Sequence, residues 1–299
     1  MNRVVLLLCL VANFLLAQNA ALSGLVRDPV GAAISGAALE LKNTQTGTRF
    51  STNSNDSGFY SFPSVTPGSY DLTVNKDGFA IALASELTVE ISQSKSLNFS
   101  LKISQTQESV TVTDEAGLLT VDRADRSAVL ENKFVLSIPL NVRNPLQLVN
   151  YTPGVVQGGS GFGTSGTNTS TNTLTNSFRI NGGRAGTTEV LLDGAANTTA
   201  FSNQTAGLPM VDAVQEFRVL TSSYAPEYGR TSGGVISFGL RSGTNQFHGS
   251  AYEFFRNSAL DTRRPFDGET IPPFRLNQFG GNLGGPVIKN KTFFFANYE

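Results

Sequence analysis

Apolar and polar side chains alternate in short runs along much of the chain. In residues 70–75 every second side chain is apolar, and residues 38–42 and 97–101 repeat the pattern. A period of two is that of a half-buried strand, because successive side chains of a strand point to opposite faces of the sheet. Turn signals such as Pro67-Gly68 separate the runs. Residues 22–103 are therefore predicted to form a β-sandwich of about seven strands.

Further strand-like runs lie at the end of the sequence, at residues 247–255, 276–288 and 292–299. A long polar connection joins the first two, whereas only residues 289–291 join the second and third. Outer-membrane β-barrels show this asymmetry between long extracellular loops and short periplasmic turns. Residues 246–299 are therefore predicted to be the first strands of a transmembrane β-barrel. Because bacterial barrels start at about 8 strands, we expect the chain to be the N-terminal piece of a longer protein.

An alternative is that these last strands complete a soluble second domain. The three phenylalanines at residues 293–295 argue against it, because such a run is an aggregation hazard on a soluble surface. In a barrel, Phe294, Ala296 and Tyr298 are expected to face lipid, while Asn297 faces the lumen together with Glu299.

The first residues have the pattern of a targeting segment. Arg3 precedes an apolar run over residues 4–16, and small residues follow at Ala17 and Ala20. The run is too short to cross a bilayer as a helix, which takes roughly 20 residues. Residues 1–21 are therefore predicted to be a secretory signal peptide, cleaved near Ala17 or Ala20. A buried N-terminal strand or helix is the alternative.

Composition narrows the chemistry that the chain can carry out. The 22 Lys and Arg nearly balance the 23 Asp and Glu without a basic patch, so no nucleic acid is expected as a partner. The one cysteine, Cys9, lies in the predicted signal peptide, and His248 is the one histidine. The mature chain therefore has no thiol nucleophile and no H-x-x-E zinc pattern. We expect no catalytic residue, no metal site, no cofactor and no enzymatic activity.

The turn residues and aromatics of the first domain follow a specific order. It runs from Gly24-x-Val26-x-Asp28 through Asp56-x-Gly58-x-Tyr60-x-Phe62 to Pro67-Gly68-x-Tyr70. This order resembles the carboxypeptidase regulatory-like domain, which implies a transthyretin-like, carbohydrate-binding-like sandwich. The aromatic side chains fit a sugar-stacking platform or core packing, and their alternation favours the core.

Residues 130–245 combine short apolar strands with one predicted helix. Asn144 followed by Pro145 predicts the start of that helix. Proline has no backbone N–H, but an N–H in the first turn has no partner within the helix, so nothing is lost there. Residues 157–177 are almost entirely Gly, Ser, Thr and Asn, and we expect a mobile loop there.

A series of strand and turn motifs follows this tract. An Asn-Gly-x-Arg motif, an Asp-Gly turn, a Glu-x-Phe-x-Val strand, Tyr-Gly and Gly-Gly-Val-Ile occur in that order. The series resembles the plug domain of TonB-dependent outer-membrane receptors, which implies an α+β plug. The Tyr-x-x-Glu-Tyr-Gly-Arg variant at residues 224–230 is similar to the Oar-like subgroup, which also carries a regulatory-like sandwich in front. The plug-motif residues are Asn181, Arg184, Asp193, Gly194, Glu216, Glu227, Tyr228, Gly229, Arg230, Gly233 and Gly234.

Five charged side chains are expected to pair with one another or with the barrel wall. They are Arg179, Arg184, Asp193, Glu216 and Arg230. Such pairing would hold the plug in place rather than catalyse a reaction. Surface charges near turns are the alternative for any single residue.

A linker is predicted over residues 104–129, between the sandwich and the plug. It contains an acidic residue followed by alternating Val and Thr, a pattern that resembles the TonB box of energy-coupled receptors. Such a segment adds as a strand to the sheet edge of another protein. An ordinary edge strand is the alternative. The candidate box consists of Glu108, Ser109, Val110, Thr111, Val112 and Thr113.

Together these features favour a TonB-dependent outer-membrane receptor and transporter for a bulky solute, whose plug gates a β-barrel. The resemblance implies a TonB-like periplasmic energy-coupling protein as partner, outer-membrane lipid around the barrel, and the sandwich and plug on the periplasmic side of a Gram-negative outer membrane. A carbohydrate or peptide is the expected solute, rather than a siderophore. The alternative is an outer-membrane-anchored carbohydrate-binding or adhesion protein without transport.

Overall fold

The computed structural model describes residues 20–299, with gaps at 104–108, 113–125, 138–139, 141–142, 158–177, 200–204, 230, 263–270 and 272. The described residues are mainly β-strand, as the alternating pattern predicts. The chain divides into two compact units, Met1–Leu240 and Arg241–Glu299. No helix within the described residues is both long enough and apolar enough to cross a membrane.

The first part of the larger unit is a β-sandwich. One sheet contains β1 (Ala20–Arg27), β4 (Phe59–Val65), β7 (Ser94–Ser96) and β8 (Phe99–Ser100). The other, in the order β3-β2-β5-β6-β9, contains β2 (Ala38–Asn43), β3 (Arg49–Asn53), β5 (Gly68–Asn75), β6 (Ile81–Val89) and β9 (Ser109–Val112). Residues of both sheets share one core, which contains Leu22 and Phe62 of the first sheet together with Leu41 and Leu72 of the second.

The aromatic side chains of the first domain belong to this core. Tyr60, Phe62 and Tyr70 are buried, and the Tyr60 hydroxyl donates to the Leu97 carbonyl oxygen at 2.7 Å. Burial raises the pKa of the Tyr60 phenol far above its ordinary value. The preference for core packing over a sugar-stacking platform is therefore confirmed.

The second part of the larger unit is a mixed five-stranded sheet, here called the central sheet. In the order β10-β15-β16-β13-β14, its strands are β10 (Arg126–Glu131), β15 (Val214–Ser222), β16 (Val235–Leu240), β13 (Glu189–Leu192) and β14 (Ala195–Ala196). The pairs β10–β15 and β15–β16 are antiparallel, whereas β13 runs parallel to β16. Helix α1 (Asn132–Ser137) and the strand pair β11 (Val155–Gln157) and β12 (Phe178–Ile180) accompany the sheet.

A separate core forms around this sheet. Phe217 and Phe238 pack with ring centroids 4.9 Å apart, and Leu146 and Val149 of a 3-10 helix, Pro145–Tyr151, join them. That helix confirms the expected start at the proline, with the Asn144 side chain accepting a hydrogen bond from the Leu146 N–H at 2.9 Å.

Three boundaries differ from those that the sequence suggests. β1 begins at Ala20, inside the predicted signal peptide, and Ala20 is buried in the sandwich core. β10 begins at Arg126, so the central sheet starts four residues before the predicted limit at residue 130. The smaller unit begins at Arg241, before the predicted barrel limit at residue 246. In the first two cases tertiary pairing sets the start of the strand, because Ala20 pairs with Val65 of β4 and Arg126 pairs with Ser222 of β15.

The smaller unit is an antiparallel sheet of three strands. They are β17 (His248–Asn257), β18 (Arg275–Ile288) and β19 (Thr292–Tyr298). All three were expected from the alternation and are confirmed within two residues at each end. Asn290 takes a φ of 61° in the short turn between the last two, a conformation that asparagine tolerates well.

Candidate functional site

The candidate TonB box lies at the edge of the sandwich. Its residues Ser109–Val112 form β9, which pairs in parallel with β6, so that Ile81 is the partner of Ser109 and Ala84 the partner of Val112. β9 ends the strand order of that sheet within the described residues. Glu108 and Thr113 lie outside the described residues. The segment thus occupies an edge-strand position, the arrangement from which strand addition to a partner proceeds.

The chain reaches this edge by following the start of β6. The Ala80 N–H donates to the Lys102 carbonyl oxygen at 2.8 Å, and Phe79 forms an antiparallel bridge with Ile103. Leu101 is in turn held by its N–H, which donates to the Arg27 carbonyl oxygen at 2.8 Å. The segment that precedes the candidate box is therefore bound to both sheets of the sandwich.

A buried contact links the sandwich to the central sheet. Glu216 and Arg218, which share one face of β15, are 8% and 7% exposed. The Ile91 N–H, in the turn after β6, donates to the Glu216 carboxylate, and Arg218 Nη1 donates to the Ile91 carbonyl oxygen at 3.0 Å. Arg218 Nη2 also donates to Ser127 Oγ on β10 at 3.0 Å. Both polar groups of one sandwich residue are thereby bound by two charged side chains of the central sheet.

The Asp-Gly motif forms the tight turn between β13 and β14. Asp193 and Gly194 have φ angles of 44° and 79°, as a two-residue hairpin turn of this hand requires. Asp193 Oδ1 accepts a hydrogen bond from the Leu240 N–H at 2.8 Å, which ties the turn to the end of β16. Burial raises the pKa of the Asp193 carboxyl, and the Leu240 hydrogen bond opposes that shift.

The Gly-Gly motif permits close approach of backbones at the start of β16. A Cβ on Gly233 would lie 2.3 Å from Thr187 Oγ1, and one on Gly234 would lie 2.8 Å from the Leu220 carbonyl oxygen. Gly234 also has a φ of +100°, which side-chain-bearing residues rarely adopt. These two glycines are therefore required by the packing of the sheet.

The remaining motif residues occupy turns and a second small core. Asn181 is exposed, has a φ of 49°, and donates from Nδ2 to the Thr221 carbonyl oxygen at 2.9 Å. Arg184 is exposed. Tyr228 is buried, and Gly229 follows it at the end of a 3-10 helix. That helix, Pro226–Tyr228, contains Glu227, and Arg230 lies outside the described residues.

Two of the charged motif residues bind backbone N–H groups, and the expected pairing within the whole set stays a prediction. Asp193 and Glu216 accept hydrogen bonds from backbone N–H groups, of Leu240 and Ile91 respectively. Arg179 and Arg184 are exposed. The physical reason is that buried N–H groups at a turn and at an inter-sheet contact need acceptors, and a carboxylate serves this need well.

Two charged features were not anticipated from the sequence. Arg218 binds Ile91 as described, and the signal available was a second charge two positions after Glu216 in an otherwise apolar strand. Arg143 forms a salt bridge with Asp212, and both side chains are largely buried. The spacing of 69 residues between these two left no local signal for the pair.

In the smaller unit, polar side chains form a hydrogen-bonded face. The Tyr252 hydroxyl donates to Glu299 Oε2 at 2.7 Å, and Gln278 donates to the other oxygen of the same carboxylate. Asn282 donates to Ser250 Oγ at 2.6 Å. Neighbouring strands thus share polar contacts on one side of the sheet, whereas large apolar side chains such as Phe279 and Tyr298 remain exposed.

Family models match both ends of the chain. The carboxypeptidase regulatory-like domain matches residues 21–102, and the outer membrane beta barrel domain matches residues 239–299. The mainly β chain is therefore similar to the regulatory-like sandwich domain over residues 21–102 and to an outer-membrane barrel domain over residues 239–299. The expected outer-membrane localisation is confirmed.

A relative covers most of the chain. Over 257 residues, 81% of this chain, the sequence is 27% identical to the TonB-dependent transporter Oar of Myxococcus xanthus. The chain is thus similar to Oar, which agrees with the resemblance that the motifs indicated. The chain spans 23% of the length of this relative.

Solved structures of receptors also show similarity. The crystal structure of the siderophore receptor PirA from Acinetobacter baumannii is 22% identical and has a TM-score of 0.40, with 57% of this chain and 24% of that chain covered. PirA from Pseudomonas aeruginosa is 20% identical and has a TM-score of 0.37, with 55% of this chain and 26% of that chain covered.

Proposed function

We propose that the chain is the N-terminal part of a TonB-dependent outer-membrane transporter, in which the central sheet is an α+β plug that gates the barrel. The observation that carries this proposal is the similarity to Oar over 81% of the chain, to which the two domain matches at residues 21–102 and 239–299 add support. In this arrangement the sandwich, of transthyretin-like type, and the plug lie on the periplasmic side.

The partner in this proposal is a TonB-like periplasmic protein that binds residues 108–113. Strand addition supplies affinity through backbone hydrogen bonds and needs an extended segment near a sheet edge. Residues Ser109–Val112 are extended and lie at such an edge. The contacts of Ile91 with Glu216 and Arg218 support this proposal, because they connect the sandwich to the central sheet.

The solute is a bulky one, and we favour a carbohydrate or a peptide over a siderophore. This preference rests on the resemblance to receptors that carry a regulatory-like sandwich in front of the plug. The alternative, adhesion through sugar binding by the sandwich, loses its stacking platform because Tyr60, Phe62 and Tyr70 are buried.

Deletion of residues 108–113 in the full-length protein tests the transport function. Cells of the source organism would be grown on a panel of oligosaccharides and peptides as sole carbon source, with a null strain for comparison. We expect the deletion to reproduce the growth defect of the null strain while the protein reaches the outer membrane at its normal level.

A second strain, in which six residues within the tract 158–177 are deleted, provides the matched control. We expect this strain to grow like the wild type. Normal growth of the strain that lacks residues 108–113 would contradict the transport function. Adhesion without transport predicts that outcome.

A further inference from the structure

We propose that the sandwich is a template for the energy-coupling partner: β6 holds residues 109–112 as an edge strand, and the partner adds its own strand to the outer edge of β9. The five-stranded sheet β3-β2-β5-β6-β9 would thereby gain a sixth strand. The inference rests on the proposed function, since it assumes that these residues are the TonB box.

The first step of the argument is the geometry of an edge strand. Backbone N–H and C=O groups of a strand point alternately to its two sides, so pairing with β6 uses only the groups on one side of β9. In the part of the chain that the structure describes, β9 is the last strand of this sheet. Pairing with β6 therefore uses one side of β9, and the other side is the one that we assign to the partner strand.

The second step concerns the conformational entropy of binding. A free peptide must become extended when a strand partner binds it, and this ordering weakens the affinity. In this chain the ordering is complete before the partner arrives, because four consecutive residues from Ser109 to Val112 are in register with Ile81–Ala84. The intact protein should therefore bind a strand partner more tightly than the isolated segment does.

The third step is that the template itself is fixed. Residues 101–103, which lead to β9, are bonded to Arg27, Phe79 and Ala80. At the other end of β6, both polar backbone groups of Ile91 are bound by Glu216 and Arg218 of β15. A partner that binds β9 is thus attached to the sheet that contains β6. The turn after β6 is itself bonded to β15 of the predicted plug.

The test uses the full-length protein in detergent and, as probe, the purified periplasmic domain of TonB from the same organism. Leu83→Cys with Thr111→Cys places two thiols on paired positions of β6 and β9. Neighbouring strands lie about 4.8 Å apart, which suits a disulfide. The second measurement is the affinity of the same probe for a synthetic peptide of residues 106–115.

We expect the oxidised variant to bind the TonB domain with a Kd within about twofold of the reduced variant, and the peptide to bind at least about tenfold more weakly than the protein, since ordering costs of this size are typical of flexible segments. Loss of binding on oxidation, restored by reduction, would overturn the template, because the box would then have to leave β6. A peptide that binds as tightly as the protein would overturn it as well.

Two controls complete the design. Glu40→Cys with Ser51→Cys links paired positions of β2 and β3, away from β9, and oxidation should leave binding unchanged. The variant Leu83→Ser with Thr111→Ser cannot form the disulfide between β6 and β9. Any change in its binding on oxidation is therefore unrelated to that disulfide. If neither the peptide nor any form of the protein binds, the proposed box itself is wrong, and the template fails with it. If the peptide and the protein both bind, but the peptide binds as tightly as the protein or more tightly, the template is contradicted and the proposed box is not.

Discussion

The sandwich and the sheet β17–β19 use the same alternation of side chains in opposite ways. In the sandwich, the apolar face of β5 is completely buried against a second sheet, and the polar side chains lie outside. In β17–β19, the polar face is hydrogen-bonded, and apolar side chains are exposed, with Phe279 at 59%, Leu283 at 51% and Tyr298 at 70%.

This comparison shows that a period of two fixes the two faces of a strand but not the medium that each face meets. A soluble protein rarely leaves large apolar side chains side by side on its surface. An outer-membrane barrel has this inverted arrangement, with an apolar exterior and a polar interior. The match of residues 239–299 to an outer membrane beta barrel domain agrees with the inverted arrangement.

The largest expected effect is in the sandwich core. Leu72→Ala removes a completely buried side chain of β5 and should lower the free energy of unfolding of the sandwich by about 2–5 kcal/mol. Hydrogen exchange of the amides of β2, β5 and β6 measures this loss. The exposed Leu283→Ala serves as control in detergent-free buffer, and an equal loss for both would erase the difference between the two regions.

In lipid the exposed apolar face of β18 should become sensitive to a charged substitution. Leu283→Arg puts a charge on the exposed apolar face and should destabilise the full-length protein in vesicles by about 2–4 kcal/mol if the position lies near the bilayer midplane. Val287→Arg, close to the turn at Asn290, should cost only about 0–1 kcal/mol. Urea titration of the reconstituted protein measures both values. Equal tolerance of both arginines would contradict a lipid-facing surface.

The same comparison explains what could be predicted from the sequence. The three strands of the smaller unit and the turn at residues 289–291 followed from local alternation and short connections. The parallel pairing of β9 with β6 could not be predicted, because β9 begins at Ser109, 20 positions after β6 ends at Val89, and only tertiary contacts select a register. Burial of Glu216 and Arg218 was equally hidden, since their acceptor and donor groups belong to the backbone of Ile91.

The turn and glycine motifs of the central sheet could be predicted in part. The Asp-Gly pair predicted a turn, and Asp193 and Gly194 have the positive φ angles of one. Their partners could not be predicted, because the Leu240 N–H and the Thr187 side chain are distant in sequence. Local chemistry therefore indicated the turns, and the fold determined what each turn contacts.

The central sheet is tightly packed like the sandwich, so a substitution in its interior should lower its stability. Gly233→Ala would bring a methyl group within 2.3 Å of Thr187 Oγ1, and overpacking of this kind costs about 1–3 kcal/mol. Hydrogen exchange of β13 and β16 measures the loss. Gly207→Ala, where a Cβ meets open space, is the matched control. A neutral Gly233→Ala would show that this junction is not tightly packed.

The smallest expected effect is a pH dependence at Asp193. Burial raises the pKa of this carboxyl, so the folded state holds its proton to higher pH than the unfolded state, whose ordinary value is 3.8. The stability contributed by the protonated group is therefore present below pH 3.8 and is lost as the pH rises through the folded pKa.

Asp193→Asn should remove this dependence while it keeps an oxygen acceptor for the Leu240 N–H. Asparagine also tolerates the positive φ at this position. The variant should be slightly more stable than the wild type at neutral pH, as thermal unfolding at a series of pH values would show. The raised pKa would be contradicted if the wild type became more stable, relative to the variant, as the pH rises above 3.8.

The orientation of β18 in a membrane tests the account most directly. Single cysteines at Phe279 and Gln278, which lie on opposite faces, would carry a fluorescent label in the full-length protein, reconstituted in vesicles with spin-labelled lipid. We predict strong quenching at position 279 and little at position 278. Equal quenching at both positions, or the reverse order, would contradict the claim that this sheet begins a lipid-embedded barrel.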